Sequence, residues 1–110
     1  MPKFMAIYTG TPDPTRAPPS GKTLADGMAA WQAWGQRYGD RIVEFGGPLG
    51  NTKRVNASGV SDATNNIAAY VIVEADSHED AASMFVDHPH FAIFPGDGVD
   101  VMLCLPVPGR

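Results

Sequence analysis

An α+β fold with the order β-α-β-β-α-β is predicted by three features of this 110-residue chain. Three stretches, Lys3–Thr9, Ile67–Glu74 and Val99–Leu105, are apolar or alternating and carry many β-branched residues, as strands do. Between them lie two segments whose apolar residues recur at helical spacing. Glycine and proline clusters separate these pieces, and the length suits one domain spanning 1–110.

The first strand, Lys3–Thr9, is apolar on both faces, which suits a central position in a sheet. The segment from Thr11 to Gly21 holds four prolines and little hydrophobicity and is read as a stiff, long loop. A helix is predicted over Leu24–Tyr38, capped by Thr23 with Asp26 three residues on, its apolar stripe made by Leu24, Met28, Trp31, Trp34 and Tyr38. Gly27 and Gly35 each weaken such a helix by about 1 kcal/mol relative to Ala, and Gly39 is a natural C′ residue.

A second strand is predicted over Arg41–Phe45, with Val43 and Phe45 on one face and Ile42 and Glu44 on the other. Gly46-Gly47-Pro48 then signals a turn, bulge or close backbone approach. Thr52–Ala57 reads as a weak strand and Ser58–Asn66 as a connecting loop. After the strand Ile67–Glu74, Ser77 is an N-cap with Asp80 at N3, and Ala81, Met84, Phe85 and His88 fall on one helix face. Pro89 biases His88 away from helical geometry. In the last strand Val99, Val101, Leu103 and Leu105 share one face, and Asp100, Met102 and Cys104 the other.

This order is that of two βαβ units in a ferredoxin-like fold, with both helices on one face of a four-stranded antiparallel sheet. The opposite face carries apolar residues and needs a cover. Either two sheets pair in a homodimer or the proline-rich loop folds over a monomer.

Composition narrows the partners. The net charge is −4 and Lys53-Arg54 is the one adjacent basic pair, so no nucleic-acid partner is expected, because phosphate binding needs several neutralising cations. No apolar run approaches the roughly 20 residues of a membrane span, and the N-terminus lacks a signal-peptide core. The single cysteine, Cys104, cannot form an intrachain disulfide. It reads as a small core residue in a cytoplasmic protein.

Asp87-His88-Pro89-His90 is the candidate catalytic segment. A carboxylate beside a histidine can fix one tautomer for general acid–base work near neutral pH. The structural alternative is that Asp87 and His88 finish the second helix while His90 bonds to backbone. A metal site is disfavoured because no third histidine or cysteine ligand is evident. Tyr8, Trp31, Trp34, Tyr38 and Phe45 are candidate walls of an aromatic pocket, with Glu74, His90 or Arg16 supplying polar groups. A helix–sheet core accounts for most of the same aromatics. Because Trp31 and Trp34 are three residues apart, both cannot point straight into the core, and one belongs at its edge. The glycine turns lack phosphate-loop spacing, so no nucleotide cofactor is expected.

Lys3-Phe4-Met5, Gly46-Gly47-Pro48-Leu49, Tyr70-Val71-Ile72-Val73-Glu74-Ala75, Ser77 with Ala81, and His88-Pro89-His90 before the final strand occur in an order that resembles the YCII-related family, including its DGPF-type members. The resemblance spans most of the chain. It implies a protomer of the dimeric α+β barrel superfamily, a face-to-face homodimer, and a pocket between sheet and helices. Some relatives are suspected enzymes with a His and an Asp in the cleft. The chain has Gly46-Gly47-Pro48-Leu49 where the DGPF subset has an acidic-Gly-Pro-Phe string, and its proline-rich loop lacks a histidine that some members carry. Two functions follow as expectations: a homodimer binding a small, partly aromatic molecule with His/Asp acid–base chemistry, or a non-catalytic ligand- or partner-binding module.

Overall fold

The computed structural model describes residues 1–10, 21–86, 88 and 97–108. Its elements are β1 (Lys3–Thr9), α1 (Gly21–Arg37), a 3-10 turn (Gly39–Arg41), β2 (Ile42–Pro48), β3 (Thr52–Asn56), β4 (Gly59–Ala63), β5 (Ile67–Glu74), α2 (His78–Ser83) and β6 (Gly98–Leu103). β2, β5, β1 and β6 form a four-stranded antiparallel sheet in that spatial order. This is the strand order of a ferredoxin-like α+β fold.

Alternation along the strands assigns the two faces. Phe4, Ala6 and Tyr8 of β1 stand opposite Val73, Val71 and Ala69 of β5, and all six are buried. Trp34 from α1 and Ala81, Met84 and Phe85 from α2 and its following turn close over them in a single core. The Trp34 indole N–H donates to the Met84 carbonyl at 2.7 Å, which ties α1 to that turn. On the other face Glu44, Ile72, Met5 and Met102 form one row across four strands, and Gly47, Tyr70, Ile7 and Asp100 form the next. Met5, Ile7, Tyr70 and Ile72 are half-buried there, while Met102 is exposed. The Tyr70 hydroxyl donates to Glu44 at 2.8 Å. That bond, the negative charge and then burial push the Tyr70 phenol above its ordinary pKa.

Four elements differ from the sequence reading. α1 runs from Gly21, so Thr23 lies within the helix and not before it. α2 is capped by Ser77, whose hydroxyl accepts from the Asp80 N–H, but it ends at Ser83, before its apolar stripe is complete. Ser58–Asn66 is not a plain loop: β4 pairs residue by residue with β3. This two-stranded arm is exposed along nearly its whole length, so it shows no buried-face alternation. Val55 and Val60 face each other at 74% and 70% exposure.

The fourth difference is in β2. Ile42 pairs with Val73 on the helix side, whereas Glu44 pairs with Ile72 on the open side. The register shifts there and again before Gly47. A bulge therefore separates Ile42 from Glu44, which the alternation had placed together.

Two glycines allow this geometry. Gly46 has φ +64, and a Cβ there would collide with the Tyr70 carbonyl oxygen. Gly35 faces the Phe45 ring so closely that a Cβ would strike it. Gly46→Ala is expected to lower stability by about 1–3 kcal/mol through backbone strain. For Gly35→Ala, a helix-propensity gain of about 1 kcal/mol opposes an overpacking cost of roughly 1–3 kcal/mol, and a net loss is expected. Gly39→Ala, whose Cβ meets open space, should stay within about 0.5 kcal/mol of wild type. Urea midpoints rank the three; equal stability of Gly46→Ala and Gly39→Ala would refute the steric assignment.

Candidate functional site

The fold brings Tyr8 and His88 together from 80 residues apart. Tyr8 points from central β1 toward the helices. His88 follows the turn after α2, where its backbone N–H donates to the Phe85 carbonyl at 3.3 Å. The His88 ring is wholly buried, 0% exposed, and its Nε2 lies 2.9 Å from the Tyr8 hydroxyl. Among the described residues four aromatic rings surround it, with centroids at 4.5 Å for Trp31, 4.6 Å for Trp34, 4.8 Å for Tyr8 and 6.0 Å for Phe85. Burial pushes the Tyr8 phenol well above its ordinary pKa, so it stays a neutral hydroxyl near neutrality. A neutral phenol can donate to an unprotonated Nε2 or accept from a protonated one. The pair therefore accommodates either ring tautomer.

Beside this cluster lies a cavity of about 990 Å³ between the first half of α1 and the β2–β5 edge. Leu24, Met28 and Trp31 line its helix wall, and Phe45, Gly47 and Ala69 belong to its strand wall. Its described lining is mainly apolar, with Gln32 and Tyr70 as the polar side chains. Leu24 and Met28, at 42% and 59% exposure, belong to the stripe read from the sequence as core-facing. Here that stripe faces the cavity. Periodicity reports which residues share a helix face, not whether that face meets protein or an open pocket.

The two tryptophans divide the roles. Trp34 is buried in the core, whereas half-buried Trp31 forms cavity wall on one side and contacts His88 on the other. Tyr8 and His88 are not among the cavity-lining residues, so the Trp31 ring stands at the boundary between cavity and buried pair. Glu74 stands apart, at the far end of β5 opposite Lys3 on the open sheet face. It does not line this cavity, whose β5 wall is Ala68–Tyr70 at the other end of the strand. Cys104 is exposed beyond the end of β6, not packed in the core. Arg16, Asp87 and His90 lie outside the described residues.

Tyr8→Phe keeps the ring but removes the hydroxyl from buried Nε2, with an expected loss of about 1–3 kcal/mol. The pH dependence has a fixed sign. Above about pH 10 an unfolded tyrosine loses its proton while buried Tyr8 retains it, so the folded state binds more protons and stability falls as pH rises. Urea unfolding from pH 7 to 11 should show a shallower alkaline decline in Tyr8→Phe than in wild type. Identical slopes would remove Tyr8 as the source.

Neither a family profile nor a curated protein matches the chain. Among solved structures, it is similar to 5-chloro-2-hydroxyhydroquinone dehydrochlorinase (TftG) from Burkholderia phenoliruptrix AC1100, in complex with 2,5-dihydroxybenzoquinone. The TM-score is 0.54 at 19% identity, covering 90% of this chain and 89% of the other. At that identity the likeness shows a shared fold alone, a mixed α+β fold with an antiparallel sheet.

Proposed function

We propose that this chain is a cytoplasmic, YCII-related homodimer that binds a small, partly aromatic molecule in the cavity beside α1 and applies acid–base chemistry to it. The carrying observation is the 990 Å³ apolar cavity whose wall residue, Trp31, contacts the buried Tyr8–His88 pair at 4.5 Å from the imidazole centroid. Cavities of several hundred cubic ångströms with few polar groups are the usual sites for small ligands. The similar dehydrochlorinase was solved with a small planar quinone, which supports a ligand of that kind.

In this reading the Tyr8–His88 bond anchors the segment, and Asp87 and His90 flank it in sequence. His90 moves the proton, with Asp87 orienting a ring. His88 takes part only when Trp31 turns aside. The reaction class is proton transfer, isomerisation or hydrolysis. Arg16 would meet a polar group on the ligand. A second reading, a non-catalytic binding module, is favoured by one observation: the His88 ring is wholly buried and does not line the cavity.

Calorimetric titration with 2,5-dihydroxybenzoquinone and related hydroxylated aromatics, with product analysis, tests both readings. Turnover in wild type that disappears in His90→Ala with binding retained supports the enzyme. Saturable binding in both proteins without turnover supports the module. Absence of binding by any member sinks the small-molecule reading. For the assembly, wild type should sediment as a dimer at micromolar concentration. Met5→Lys should sediment as a monomer, since Met5 sits between Ile72 and Met102 on the open face. A monomeric wild type would end the dimer proposal.

A further inference from the structure

β6 is an outer strand of the main sheet, with β1 on one side and, among the described residues, no strand on the other. Hydrogen-bond parity shows which of its backbone groups face outward. In an antiparallel pair, residues alternate between bonding to the neighbouring strand and pointing away from it. The Ala75 N–H donates to the Pro2 carbonyl, and the Cys104 N–H to the Lys3 carbonyl. Even-numbered residues of β1 therefore bond to β5 and odd-numbered ones to β6. Met5 pairs with Met102 and Ile7 with Asp100, so Met102 and Asp100 bond to β1. Val99, Val101 and Leu103 direct their N–H and C=O groups to the outer edge.

Such an edge is a template for another strand, and proteins blunt it with bulges, prolines, lysines or a covering element. β2, the other outer strand, has two register shifts, Gly46 at φ +64 and Pro48. β6 has none of these. Its pairing with β1 runs from Phe4↔Leu103 to Thr9↔Gly98 without a shift, and Asp100 is its single charged residue. One contact interrupts its outer side. His78, the first residue of α2, donates from Nε2 to the outward Val101 carbonyl at 2.7 Å. A carbonyl oxygen only accepts, so Nε2 carries the proton. The ring is held against Phe4, with centroids 5.1 Å apart.

We propose that His78 is a lock on the outer edge of β6, and that the edge it closes fits the same strand of a second copy, paired antiparallel about Val101. The inference does not rest on the ligand cavity. The pairing is self-complementary: Val101 meets Val101 of the second copy, Val99 meets Leu103 and Asp100 meets Met102, so no like charges oppose. Residues that bond outward on one copy face residues that bond outward on the other, as the ladder requires. While His78 holds the Val101 carbonyl, the central acceptor of that ladder is taken.

The test is sedimentation velocity over a micromolar concentration series, with residue-resolved amide hydrogen exchange, on wild type, His78→Leu, His78→Ala and His78→Gln. Wild type should hold one mass, and its Val99 and Leu103 amides should exchange fast beside slow Asp100 and Met102. His78→Leu keeps an apolar contact with Phe4 and loses the donor. It should gain mass by about two-fold or more as concentration rises, with the Val99, Val101 and Leu103 amides slowed. His78→Ala should behave alike. His78→Gln retains an N–H and should associate less than His78→Leu; equal association overturns the role of the donor. A folded His78→Leu that keeps the wild-type mass overturns the lock. Gained mass without slowing at Val99 and Leu103 overturns the assignment to the β6 edge. If His78→Leu and His78→Ala both melt early, wild-type exchange decides. Slow exchange at Val99 and Leu103 there means an edge already occupied and overturns the proposal, and fast exchange supports it.

Discussion

The hydrogen bond between Tyr8 and His88 joins the middle of the sheet to the turn after α2, and the geometry of the candidate site depends on it. α2 has only six residues, His78–Ser83, too few to be stable on its own. Its position comes from the side chains that follow it: Met84 and Phe85 in the core, then His88 bonded to β1. Because β1 is central, with β5 on one side and β6 on the other, Tyr8 is a fixed point. A polar pair this deep is tolerable because each partner satisfies the other; alone, either group would carry a desolvation cost.

Around that pair the tryptophans distribute strength and access. Trp34 gives its N–H to the Met84 carbonyl and packs against Phe85 and Phe45, so it binds α1 to both the α2 turn and β2. Trp31 is less buried and borders the cavity. One helix thus presents a structural indole and an accessible one, separated by the three-residue step that turns them to different sides. The Phe45 ring can reach its place because Gly35 leaves room for it and because the β2 bulges turn that residue toward the helix. The same register sets Gly47 beside Tyr70 in the row on the open face.

Much of the fold was legible in the chain. β1 and β5 are runs of apolar β-formers, and β6 alternates. Ser77 with Asp80 announced the start of α2. The arm Thr52–Ala63 was half read, because exposed strands carry no core-facing rhythm and Val60 is isolated among polar residues. The placement of Ile42 and Glu44 failed because a bulge inserts a residue that a strict two-residue period cannot accommodate. Of the candidate site, Tyr8, Trp31 and Trp34 were named together as pocket walls and His88 in a separate candidate segment; Glu74 was named and lies on the other face.

The sequence by itself determined the order of the two helices and the four strands of the main sheet, the apolar stripe of α1 and the capped start of α2, because these follow from local propensity and periodicity. Only the tertiary structure decided that Tyr8 meets His88, that Met28 and Leu24 face a cavity instead of a core, and that Gly46 lies against the Tyr70 carbonyl. Those outcomes depend on register across β5 and on contacts between residues far apart in the chain. No local period encodes either one.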